Sequence, residues 1–80
     1  MYRILIAVKR GKEDHENLYK WYSKPAEGTD RIEVVQFSSP KEAYDAVKEL
    51  LKNPCPYKDY SYHDLVVVDY QNYDVDIISV

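Results

Sequence analysis

Asp69 closes the run His63-Asp64-Leu65-Val66-Val67-Val68-Asp69. A carboxylate at the end of an apolar strand can act as a general base or accept a phosphoryl group when an acid or a metal ion stands beside it. A second group, Lys9, Arg10 and Lys12, follows the apolar run 2–8 around Gly11. Together with the free N–H groups of a helix start, such cations can hold a phosphate or a carboxylate. Ser38 and Ser39 precede another helix start and join this anion-binding set.

Each of these groups also has a plainer role. The basic residues can neutralise Asp69 and an acidic helical turn, as most surface charge clusters do. Asp69 can pair with Lys9 or Arg10, or bond to the turn at Gln71-Asn72. No nucleophile or acid is evident beside it, and one glycine does not make a phosphate loop. Cys55 lies between Pro54 and Pro56 with no basic neighbour to activate it. His63 and Asp64, as neighbours on a strand, are expected on opposite faces. Cys55, His15 and His63 are too few and too scattered for a tetrahedral metal site. The expectation is a chain without catalytic residues, metal or cofactor.

The remaining candidates are tyrosines. There are nine in 80 residues, and Tyr57, Tyr60, Tyr62, Tyr70 and Tyr73 fall in the C-terminal part. Residues 56–80 also hold Asp59, Asp64, Asp69, Asp74 and Asp76 against Lys58 alone. Rigid aromatic anchors beside negative charge suit a protein-binding surface. Tyr57, Asp59, Tyr60, Tyr62, Asp64, Tyr70, Tyr73 and Asp74 are the partner-binding candidates.

Size and charge narrow the classes. The chain is short enough for one domain, residues 1–80. A net charge of −3 argues against a nucleic-acid partner. No apolar stretch reaches the ~20 residues of a membrane span, and no signal peptide is evident. With a single cysteine the chain fits a reducing compartment, so a cytoplasmic location is expected.

The elements that must position these residues follow from periodicity. Residues 2–8 and 64–70 read as strands apolar on both faces, the mark of a central parallel sheet. Residues 13–23 read as a helix, with an acidic start and with Leu18, Trp21 and Tyr22 at i, i+3 and i+4. Residues 32–37 read as an edge strand. Ser39-Pro40-Lys41-Glu42 is a capping box that opens a second helix, ending near Lys52. Residues 53–63 form a long loop, and 74–80 a last strand returning antiparallel. The expected fold is α/β: a four-stranded mixed sheet of order 2-1-3-4 with two helices, β-α-β-α-β-β. With both helices on one side, Leu5, Ala7, some of Val66–Val68, and Ile77 or Ile78 lie on an open face. A homodimer through that face or through an edge strand would cover them.

Arg3-Ile4-Leu5-Ile6-Ala7-Val8, Ser38-Ser39-Pro40-Lys41-Glu42-Ala43, the run 63–69 and Val75-Asp76-Ile77-Ile78-Ser79 resemble strand and helix segments of the N-terminal half of a response-regulator receiver domain. The resemblance implies a flavodoxin-like fold, with Asp69 at the phosphoacceptor position. Lys9 and Arg10 stand where that family carries an acidic metal-binding pair. The later helices and the fifth strand with its lysine are missing. What remains is a degenerate receiver-like dimerisation domain.

The expected function is therefore non-catalytic protein binding through the acidic tyrosine-rich surface. In composition the chain is similar to small phage and viral inhibitors of host or defence proteins. The alternatives are a phosphate- or nucleotide-sensing module at Lys9, Arg10, Lys12, Ser38 and Ser39, and the receiver-like dimerisation domain.

Overall fold

Tyr19 and Trp21 alternate with Leu18, Lys20 and Tyr22, which is the period of a strand. In the computed structural model, which describes residues 1–10, 17–72 and 74–80, a strand is what they form. β1 is Tyr2–Lys9 and β2 is Asn17–Trp21, paired antiparallel from Leu5↔Trp21 to Lys9↔Asn17. β3 (Ser23–Pro25) and β4 (Ile32–Val34) make a separate two-stranded ribbon. Then follow α1 (Pro40–Leu51), β5 (Ser61–Asp69) and β6 (Asp74–Ser79). The main sheet has the order β2-β1-β5-β6, and every neighbouring pair in it is antiparallel.

This arrangement corrects the expected fold on three points. Residues 17–23 are not helical; the rest of that expected helix, with His15, lies outside the described residues. The spacing of Leu18, Trp21 and Tyr22 suits a helix, but so aromatic a segment also packs well on a pleated surface, and tertiary pairing decides. β2 instead lies antiparallel beside β1, a pairing that needs no crossover. Second, β1 and β5 run antiparallel, from Tyr2↔Asp69 to Lys9↔Ser61. Third, the strand expected at 32–37 does not flank β1 along its length. Residues 32–34 pair with β3, and only Phe37 reaches β1, exchanging two 2.8 Å hydrogen bonds with Tyr2. β2 and Phe37 thus share one edge of β1. The Tyr22 N–H donates to the Ile4 carbonyl at 2.8 Å before the chain turns away.

The helix starts where its capping residues stand. Ser39 is extended (φ −139, ψ 154), and its Oγ accepts from the Glu42 N–H at 3.3 Å. The Glu42 carboxylate reaches back one residue further, accepting from the Ser38 hydroxyl at 2.8 Å and the Ser38 N–H at 3.1 Å. Pro40, with no N–H to satisfy, fills the first turn.

Ala43 and Val47 of α1 pack on Ile4, Ile6 and Val8 of β1 and on Leu65 and Val67 of β5. Leu65 and Ile4 are fully buried. Tyr57, Tyr60 and Tyr62 close this core from the side, half-buried. The loop leading to β5 turns at residues 57–60, where the Tyr60 N–H donates to the Tyr57 carbonyl at 3.2 Å. Asp59 takes a left-handed conformation there, φ 67.

Candidate functional site

The side of the sheet away from α1 is built from three rows of cross-strand neighbours. Arg3, Val68 and Val75 form one row; Trp21, Leu5, Val66 and Ile77 the next; Tyr19, Ala7, Asp64 and Ser79 the third. Directly opposed residues of antiparallel strands share a face, so these eleven side chains share the side away from α1. Among the described elements, α1 packs on the sheet, and it does so over the other face. Val75 and Ile77 are each 61% exposed and Tyr19 is 59% exposed. The two-sided apolarity of β1 and β5 thus has an origin other than a parallel core. One side meets the helix, and the other makes an open apolar face.

Two formal charges stand in these rows, one at each end. Arg3 lies in the first row, its guanidinium carbon 4.0 Å from the Tyr70 ring centre and 5.6 Å from that of Trp21. The two rings meet edge to face, 6.0 Å apart at 76°, a favourable geometry for their quadrupoles. Arg3 makes no ion pair among the described residues, and its Nε is buried with no acceptor. Asp64 lies in the third row, half-buried, with His63 Nε2 3.5 Å from its carboxylate. A shift of register between Ala7 and Val8 leaves His63 without a partner on β1. This bulge breaks the alternation that would otherwise part His63 from Asp64.

Asp69 stands at the Tyr2 end of the sheet, where Asp69, Asp74 and Asp76 line a cleft of about 190 Å³ with Tyr2, Pro40, Tyr44, Val67 and Val75. Asp69 accepts from the Asn72 side-chain amide at 2.9 Å, and from the backbone N–H groups of Gln71 at 3.2 Å and Asn72 at 3.3 Å. The Asn72 side-chain bond, followed by these N–H groups, holds its carboxyl below the usual carboxylate range. A carboxylate so stabilised is a poor base. Asp76 accepts from the Tyr44 hydroxyl, a bond that raises the tyrosine pKa. Two of the three carboxylates therefore serve the turn and the helix. No group of three or more His, Cys, Asp or Glu among the described residues is arranged to hold a metal ion.

The antiparallel register also separates the anion-binding set. Lys9 pairs with Ser61, while Tyr2, at the other end of β1, pairs with Asp69. Seven residues of strand put these ends ~24 Å apart. Ser38 and Ser39 stand beside Phe37 at the Tyr2 end, where Ser38 already donates to the Glu42 carboxylate and Ser39 Oγ accepts from the Glu42 N–H. Arg10 follows Lys9 at the far end, and Lys12 lies outside the described residues.

The partner-binding candidates divide as well. Tyr57, Tyr60 and Tyr62 pack on the core, and Lys20 Nζ lies 4.4 Å from the Tyr57 ring centre. Burial pushes the Tyr62 hydroxyl pKa up, with Cys55, Tyr57 and Tyr22 adding to it. Asp59 is exposed in the loop, and Asp74 lies across from Asp69 in the cleft. Tyr73 lies outside the described residues. Asp64 and Tyr70 belong to the open face. Ile77 lies on that face as well, while Ile78 faces the core.

Sequence reasoning passed over Arg3 and placed Trp21 on a helix. The signal for Arg3 was available: it is the one charge inside the run 2–8, and alternation puts it beside Leu5 and Ala7. No protein-family model, curated protein or solved structure matches the chain. No helix among the described residues is long and apolar enough to cross a membrane.

Proposed function

We propose that this chain is a non-catalytic protein-binding module, and that its contact surface is the open face of the main sheet. The observation that carries the reading is the coincidence of an apolar middle row, Trp21, Leu5, Val66 and Ile77, with an outer side that α1 does not cover. Contiguous exposed apolar surface is costly to leave in water and commonly marks an interaction site. The Trp21–Tyr70–Arg3 corner adds the residue types that most often anchor such contacts. Tyr57, Tyr60 and Tyr62 now support the fold more than the contact. A binding role of this kind suits an inhibitor or an adaptor.

The test is a pair of exposed substitutions, Val75→Lys and Ile77→Lys. Each places a cation on the face without touching the buried core. Association, with another protein or with the chain itself, is expected to be lost while the melting temperature stays within a few degrees of the parent. Association that survives both substitutions in folded protein overturns the reading.

A further inference from the structure

We propose that the occupant of the open face is a second copy of this chain, packed face to face about a two-fold axis along the Trp21-Leu5-Val66-Ile77 row, so that Arg3 of each copy meets the partner's Asp64. This inference rests on the reading of the open face as a contact surface and adds the identity and register of what covers it.

A two-fold interface must be self-complementary: if one residue meets another, the reverse contact also occurs. The three rows have that property about their middle. The middle row carries no charge. The row on one side carries Arg3 as its only charge, and the row on the other carries Asp64 as its only charge. Rotation about the middle row exchanges the outer rows. It sets Arg3 of one copy over Ala7 of the other, and Asp64 over Val68. The incoming arginine rests on the neighbours of Ala7, which is fully buried between them. Ala7 is directly opposite Asp64 on the neighbouring strand, a distance of ~5 Å. Packed sheets lie ~10 Å apart, a gap an extended arginine can bridge.

The competing two-fold, with its axis along the strands, keeps each row on itself. Arg3 would then face the row that holds the partner's Arg3, and Asp64 the row that holds the partner's Asp64. Like charges at a desolvated interface are strongly disfavoured, so the charge pattern selects the first axis. The pair cannot form within one copy. Arg3 and Asp64 stand two rows apart, four residues along the strands, or ~14 Å.

Tyr70 and Trp21 hold the Arg3 guanidinium in place, and no carboxylate within the described residues pairs with it. Reaching across the gap takes the guanidinium off these rings, so the contact exchanges cation–π pairs within one copy for an ion pair between copies. A carboxylate brought to it at an apolar interface meets it in a medium of low dielectric constant, where attraction is stronger than in water.

The test is a charge reversal read by sedimentation. The parent chain is expected to be a dimer. Arg3→Glu and Asp64→Arg are each expected to raise the dissociation constant at least tenfold. The double variant, with both reversals, is expected to return it to within about threefold of the parent. Circular dichroism reports whether each variant is folded. Because Arg3→Glu also removes the contact with Tyr70 and Trp21, a second measurement needs no charge variant. With Cys55→Ser in place, spin labels at Ile77→Cys should lie close together in the dimer, near the axis. Labels at Lys48→Cys, on the far side of α1, should lie well beyond them.

A double variant no tighter than either single one overturns the proposal, as do position-77 labels farther apart than those at 48. A parent chain that stays monomeric up to millimolar concentration also overturns it. If Ile77→Lys then still abolishes binding of another protein, the open-face reading survives and only its occupant changes. If Ile77→Lys alters no association at all, both fall together.

Discussion

The guanidinium of Arg3 sits on the ring of Tyr70, 4.0 Å from its centre, and so ties the first strand to the residue that follows β5. The Tyr70 N–H donates to the Met1 carbonyl at 3.1 Å on the same edge. Tyr70→Ala is expected to lower stability by about 1 kcal/mol through the lost cation–π contact and ring packing. Tyr70→Phe should cost less, because the ring face is kept. Urea denaturation of dilute protein, where association does not contribute, compares the two. Equal losses would show that the hydroxyl, not the ring, is what matters.

The two faces of the sheet should respond differently to truncation. Leu65 is fully buried under α1, so Leu65→Ala leaves a cavity and is expected to cost about 2–5 kcal/mol. Ile77 is 61% exposed, and Ile77→Ala in dilute protein should change stability by no more than about 0.5 kcal/mol. At concentrations where the chain associates, the order of effects on complex formation should reverse. Parallel urea and sedimentation measurements on both variants check this.

Much of the C-terminal half was legible because its signals are local. Ser39, Pro40 and Glu42 mark the helix start by themselves, and the short Gln71-Asn72-Tyr73 link allows only a hairpin between β5 and β6. The N-terminal half depends on what the chain does between Lys9 and Asn17, and Leu18, Trp21 and Tyr22 fit both a helix stripe and a strand beside β1. Choosing the helix forces a crossover, and with it parallel strands. That one choice moved Asp69 to the wrong end of β1 relative to Lys9 and Arg10. Read from the sequence, Leu5, Ala7, some of Val66–Val68, and Ile77 or Ile78 lie on the face away from two helices; the antiparallel register selects Val66, Val68 and Ile77 for the face away from the one helix. Arg3 and the His63–Asp64 contact were not legible. The first needs Trp21 on an adjacent strand, and the second needs a bulge, which no residue type announces.

The helix cap offers a check on the part that the local signals specify. Ser39 Oγ accepts the Glu42 N–H at 3.3 Å, one of the N–H groups that a helix start leaves unbonded. Ser39→Ala is expected to cost about 1 kcal/mol, and Ser39→Asp should be tolerated because its carboxylate can accept the same N–H. Thermal melts followed by circular dichroism at the helix band measure both. If Ser39→Ala melts with the parent, the cap contributes nothing.

Acid should find the turn at Asp69 before it finds the core. The Asn72 amide, then the N–H groups of Asn72 and Gln71, hold the Asp69 carboxyl below the usual carboxylate range in the folded chain. The Ser38 hydroxyl and N–H do the same for Glu42. For a carboxyl whose folded-state pKa is depressed, the unfolded chain binds the proton more readily. The stabilisation is therefore complete above the unfolded value, about 4, and is lost as pH falls below it toward the folded value. Stability measured by urea at pH 6 and pH 3 should fall for the parent. Asp69→Asn removes one titrating group, so that variant should start lower at pH 6 and fall less. Glu42→Gln should behave in the same way. A parent whose stability is flat between pH 6 and pH 3, or an Asp69→Asn variant with an undiminished acid limb, would show that these bonds do not hold the charge in solution.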